Sequence, residues 1–145
     1  MVQLILGGKG KGKTTHLLAR ANQEILKANG SIVYLDKNSK HMYELNNKIR
    51  LINVTDYEIL DSSEFIGFIH GIISQDHDLE QMYFDSFLTI GHVEGNADDI
   101  GGKLEEMIAR LERVSNRYGV DFILSCAVDE KEVAASLGSK IIVSL

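Results

Sequence analysis

The chain has 145 residues and a net charge of −6, with 44% apolar and 25% charged side chains. This length fits one domain, and the acidic balance argues against broad nonspecific nucleic-acid binding. Cys126 is the one cysteine, which excludes an internal disulfide, and no apolar run approaches the ~18 residues of a membrane span. Nothing near Met1 resembles a secretory leader, so a cytoplasmic protein is expected.

Val2-Gln3-Leu4-Ile5-Leu6 reads as a buried first strand. Gly7-Gly8-Lys9-Gly10-Lys11-Gly12-Lys13-Thr14 follows, a complete G-x-x-x-x-G-K-T phosphate loop. A helix over 13–29 then buries Leu17, Leu18, Ala21, Ile25 and Ala28 and stops at Gly30. Ser31 to Leu35 is a second strand closing on Asp36, residues 41–47 hold a helical turn or two, and Arg50 to Val54 is a third strand. Asp61-Ser62-Ser63-Glu64 has the spacing of a capping box, opening a helix with Phe65, Ile66, Ile69, Ile72 and Ile73 on its buried face. Gln81 to Asp85 is the fourth strand. Residues 91–102, rich in glycine, read as a mobile loop. A helix over about 100–118 follows, with Gly119 as its stop; Asp121 to Ser125 is the fifth strand. Asp129 caps a short helix ended by Gly138, and Lys140 to Val143 is the last strand.

This alternation predicts an α/β fold of three layers, a mainly parallel five- or six-stranded sheet flanked by helices, as a single nucleotide-binding domain over 1–145. Ligands in such sheets bind at the carboxyl ends of the strands, where the sequence places Asp36, Asp85 and Ser125.

The loop chemistry follows from its residue types. Glycines let the backbone curl into a nest of N–H groups, and the helix that begins near Lys13 adds its positive end. The expected phosphate contacts run from Gly8, Lys9, Gly10, Lys11 and Gly12 through Lys13, Thr14 and Thr15. Lys13 is expected on the β- and γ-phosphates and Thr14 on Mg²⁺. Asp85 closes the hydrophobic run Met82-Tyr83-Phe84 and is expected to orient the Mg²⁺. Asp36 is a second carboxylate that can polarise water, and Ser125 a sensor of the γ-phosphate; with Lys13 and Asp85 they are the candidate catalytic residues. No Glu follows Asp85, and neither Glu80 nor Glu94 reads as a general base. Arg110, Arg113 and Arg117 share one helix side, read as a solvated face or as a source of an arginine finger toward a second subunit. The five histidines show no metal-ligand spacing.

On these residues the chain resembles the P-loop NTPase superfamily, with Gly7 to Thr14 matching its Walker A motif and Met82 to Asp85 its Walker B motif. It is also similar to short P-loop proteins of Gram-positive bacteria that share the Gly/Lys loop, the Val-Tyr-Leu-Asp-like strand and the Arg-Leu-Ile-Asn-Val-like segment. Some of these are labelled ATP-binding or twitching-motility ATPases. The resemblance implies ATP binding with Mg²⁺ and ATP hydrolysis; the motor role is not carried over, because the acidic and histidine boxes of the pilus motors are not found here. The expected function is a Mg-dependent ATP-binding protein that hydrolyses ATP. The alternatives are a nucleotide-occupancy switch acting on a protein partner or a homo-oligomer, and a small-molecule kinase.

Overall fold

The computed structural model describes residues 1–96 and 98–145; Ala97, within the segment read as a mobile loop, lies outside the described residues. Six strands, β1 (Val2–Leu6), β2 (Ser31–Asp36), β3 (Arg50–Asn53), β4 (Leu79–Phe84), β5 (Asp121–Cys126) and β6 (Ile141–Ser144), form one sheet in the order β3-β2-β4-β5-β1-β6. Every described pairing in it is parallel. The helices are α1 (Lys13–Ile25), α2 (Ser62–Ser74), α3 (Phe87–Ile90) and α4 (Ile100–Tyr118), with short 3₁₀ turns between the remaining strands.

Successive strand residues face opposite sides of a sheet, and the core divides accordingly. Leu4, Leu6, Val33, Leu35, Met82, Phe84, Phe122 and Leu124 face α2 and α4. Ile5, Ile32, Tyr34, Tyr83 and Ile123 face α1, which returns Leu17, Leu18, Ala21 and Ile25. Each fully buried leucine of α1 contributes about 1.5–3 kcal/mol relative to exposure, enough to fix which face α1 covers. Tyr34 and Tyr83 are register partners on this side, and their rings stack at 6.2 Å.

The elements differ from the sequence reading in a few places. α1 ends at Ile25 rather than near residue 29, and Ala28 packs against the same core from the following turn. Gly101 and Gly102 belong to the first turn of α4 rather than to a loop. α3 is a one-turn helix that the sequence reading does not contain. Asp129 caps a 3₁₀ turn through a capping box with Glu132, and Gly138 lies inside a second 3₁₀ turn instead of ending a helix. At α2, Asp61 accepts from the Glu64 N–H at 2.8 Å while the Glu64 carboxylate reaches back to Leu60.

Candidate functional site

Register builds the site. Leu35 pairs with Phe84 and Phe84 with Leu124, so the residues that follow them, Asp36, Asp85 and Ser125, come level at the carboxyl ends of β2, β4 and β5. They share the parity of Tyr34, Tyr83 and Ile123 and therefore project to the α1 side. On the next strand Ile5 pairs with Ser125 and Leu6 with Cys126, so the phosphate loop leaves β1 at the same level.

Gly10 and Gly12 adopt φ of 77° and 92°, the left-handed region that side chains with a Cβ resist. Gly12 is the cap from which α1 begins. Among the described residues, no protein acceptor is paired with the N–H groups of Gly8 to Gly12. The Lys13 ammonium donates to the Gly8 carbonyl at 2.8 Å, so its charge lies over the loop. Burial lowers its proton affinity, and the nearby Asp85 carboxylate opposes that shift.

Asp85 is 3% exposed and gathers three hydroxyls. Thr14 donates to its Oδ1 at 3.1 Å and Ser125 to the same oxygen at 2.9 Å, while Tyr34 donates to Oδ2 at 2.9 Å. Ser125 also accepts from the Ser86 N–H at 2.9 Å. That bond holds Ser86 at φ 54°, a strained backbone for a serine, immediately after the carboxylate. Asp36, also 3% exposed, accepts from the Lys37 N–H at 2.7 Å through Oδ1, while its Oδ2 has no partner among the described residues. Burial raises its proton affinity above the ordinary carboxylate range, and the Asp85 charge adds to the shift.

A cavity of about 350 Å³ opens above this junction, lined by Lys9, Gly10, Lys13, Thr14, Lys37 and Asp85 together with Ser86, Leu88, Thr89 and Ala127. The structure thus brings Lys9, Gly10, Lys13, Thr14 and Asp85 to one cavity, with Ser125 hydrogen-bonded beneath it. Lys11 and Thr15 are exposed and lie outside this lining. Glu80 is at the opposite end of β4, accepting from the Gly30 N–H, which removes it as a base for this site. Glu94 and His92 line a different cleft with Lys103 and Arg110, and Arg113 and Arg117 line a groove beside α2.

Three residues of the junction escape sequence reasoning. Tyr34 reads as a core aromatic, since nothing local signals that its hydroxyl meets a carboxylate 51 positions away. Lys37 reads as part of a turn. His41 reads as part of a short helical turn, yet the chain after β2 folds back so that it stands beside Asp36 and Asp85.

The donor set fits Mg²⁺. This hard cation takes oxygen ligands, and a threonine hydroxyl and a buried carboxylate meet here beside unpaired backbone donors suited to phosphate.

Comparison with known protein families and with curated proteins returns no match. Among solved structures, the chain is similar to a KaiC-like protein from the hyperthermophilic archaeon Pyrococcus horikoshii OT3. The superposition has a TM-score of 0.58 and 17% identity, and it covers 86% of this chain and 61% of that one. This chain therefore spans less than two thirds of that protein's length. The likeness is one of fold: a parallel sheet flanked by helices. Among the described residues, no helix is long and apolar enough to cross a membrane.

Proposed function

We propose that residues 1–145 act as one nucleotide-binding domain that takes ATP with Mg²⁺ and hydrolyses it. The observation that carries this reading is the convergence of Thr14, Ser125 and Tyr34 on Asp85 beside the phosphate loop. Thr14 spends its proton on Asp85, which leaves the lone pairs of its oxygen free for a cation. Lys13 and the N–H groups of Gly8 to Gly12 supply positive potential for the β- and γ-phosphates, with Lys9 beside them in the cavity lining and Lys11 and Thr15 exposed outside it. Mg²⁺ supplies neutralisation of the charge that develops on the transferred phosphoryl group. Asp36 is the residue best suited to take a proton from attacking water, because its burial beside Asp85 raises its affinity for one. No guanine-reading Asn-Lys-x-Asp segment occurs in the sequence, so ATP is the nucleotide to test first.

The test is calorimetric titration with ATP and Mg²⁺, followed by phosphate release, on the wild type and Lys13→Ala. Binding and turnover are expected in the wild type. Both should disappear in the variant, whose circular-dichroism spectrum should be that of the wild type. Folded wild-type protein that binds no ATP overturns the reading, and equal turnover in Lys13→Ala overturns hydrolysis.

A second reading, an occupancy switch with little turnover alone, is favoured by one feature. The position after Asp85 holds Ser86, pinned by Ser125, instead of an acidic residue. Such a protein would signal to a protein partner or to a second copy of itself. It predicts that ATP changes the protease sensitivity of the 91–102 segment, and an identical digestion pattern with and without ATP counts against it. The twitching-motility label of some similar short proteins forms no part of either reading.

A further inference from the structure

Asp36, His41 and Asp85 each present one ligand atom so that all three atoms lie within 4.8 Å of one another. Two of the three are buried carboxylates, and buried carboxylates side by side need a positive partner. The Oδ2 of Asp36 has none among the described residues. Lys37 offers Asp36 its backbone N–H, and the Lys13 and Lys37 ammonium groups line the cavity beside the pair without bonding to Asp36 Oδ2. The His41 ring is set by a hydrogen bond between its Nδ1 and the Glu44 carboxylate. A carboxylate on one ring nitrogen orients an imidazole and makes it a better metal ligand, the usual outer-shell arrangement of metal-binding histidines.

We propose that Asp36, His41 and Asp85 form a binding site for a divalent transition ion of the zinc class, adjoining the phosphate loop but separate from the Thr14 side of Asp85. Asp85 Oδ1 already accepts two hydroxyls, but Oδ2 accepts Tyr34 alone and keeps a second lone pair, so Asp85 can serve the ion through Oδ2 while it holds its hydroxyl donors. Bonds of about 2.0–2.2 Å draw the three ligand atoms together, and three protein ligands leave a coordination position for water. The imidazole distinguishes this site from one built for Mg²⁺, which selects oxygen donors. An ion held here takes the Asp36 oxygen that otherwise accepts a proton from water, so the metal-bound and base roles of Asp36 exclude each other; occupancy requires no nucleotide, and the proposal stands or falls apart from ATP binding.

The test is calorimetric titration of chelator-stripped, nucleotide-free protein with Zn²⁺, for the wild type, His41→Ala and His41→Gln. One Zn²⁺ per chain is expected in the wild type. Affinity should fall by about tenfold or more in both His41 variants, at least the scale seen when a metal site loses a supporting group. His41 is only partly buried, so its variants should retain the folded spectrum. An excess of Mg²⁺ should not displace the Zn²⁺. Absence of binding in the wild type, equal affinity in the His41 variants, or displacement by Mg²⁺ would each overturn the proposal, the last by moving the ion to the oxygen donors on the Thr14 side.

Discussion

The Tyr34 hydroxyl donates to Asp85 Oδ2 at 2.9 Å from the neighbouring strand, while Thr14 and Ser125 hold Oδ1. A fully buried tyrosine therefore fixes the plane of the carboxylate that faces the phosphate loop. The stacking of Tyr34 on Tyr83 and the burial of both on the α1 side leave the phenol no alternative position.

Tyr34→Phe keeps the packing and removes the donor, so Asp85 Oδ2 is left buried without it. The expected cost is about 1–3 kcal/mol of stability, the range for a buried acceptor that loses its partner. Denaturant unfolding measures it. An unchanged midpoint would mean that water replaces the phenol or that the bond does not form in solution.

Asp36→Asn separates binding from turnover. Asn keeps an oxygen for the Lys37 N–H but has no basicity. ATP affinity should persist while phosphate release falls by about 100-fold or more, as when a general base is lost. Stability should respond as well. The folded state raises the proton affinity of Asp36 above its ordinary value of 3.8, so ionised Asp36 costs stability above the folded value and the cost vanishes below 3.8. The variant should be the more stable protein at neutral pH, with the difference fading on acidification. Measurement belongs in metal-free buffer. Turnover equal to wild type would assign the base elsewhere.

The parts of the site that can be read from sequence are those with a local signature. Residues 7–14 carry their own spacing, and Asp36, Asp85 and Ser125 stand where hydrophobic runs end, which the register converts into one level of the sheet. The strand periods and the long α4 are legible for the same reason. Tyr34 and His41 are not, because their roles come from partners brought near by strand order. β5 stands between β1 and β4, and β2 lies on the far side of β4. No spacing within 31–47 encodes that neighbourhood. The one-turn α3 depends on the left-handed Ser86, a residue whose backbone is set by Ser125 rather than by its own preference.

Alkaline pH should destabilise the fold through two buried groups outside the junction. Burial pushes the Cys126 thiol up from 9.0 to about 12, and burial also raises the Tyr83 phenol above its ordinary 10.0. In both cases the folded state retains a proton that the unfolded chain has released, so their contribution is intact below about pH 9 and is lost as pH rises through the folded values. Lys13 acts in the opposite direction, but weakly, because it is partly exposed. The denaturant midpoint should be lower at pH 10.5 than at pH 8. In native protein Cys126 should resist thiol reagents at pH 8 and react once the chain is unfolded. Rapid modification of the native thiol would place Cys126 at an opening in the structure.

Gly8→Ala and Gly12→Ala divide backbone strain from phosphate contact. A Cβ on either residue meets nothing within 4 Å, but Gly12 holds φ 92° and Gly8 has no such conformation. Gly12→Ala should therefore lose about 1–2 kcal/mol of stability, the cost of forcing an L-residue into the left-handed region. Gly8→Ala should unfold at the wild-type midpoint. If the N–H groups of Gly8 to Gly12 cradle a triphosphate, the added methyl in Gly8→Ala has to compete with it, and ATP affinity should fall although stability does not. Calorimetry and denaturant unfolding on the same two variants measure both quantities. Wild-type ATP affinity in Gly8→Ala would place the phosphates deeper along the loop, toward Lys13 and Thr14.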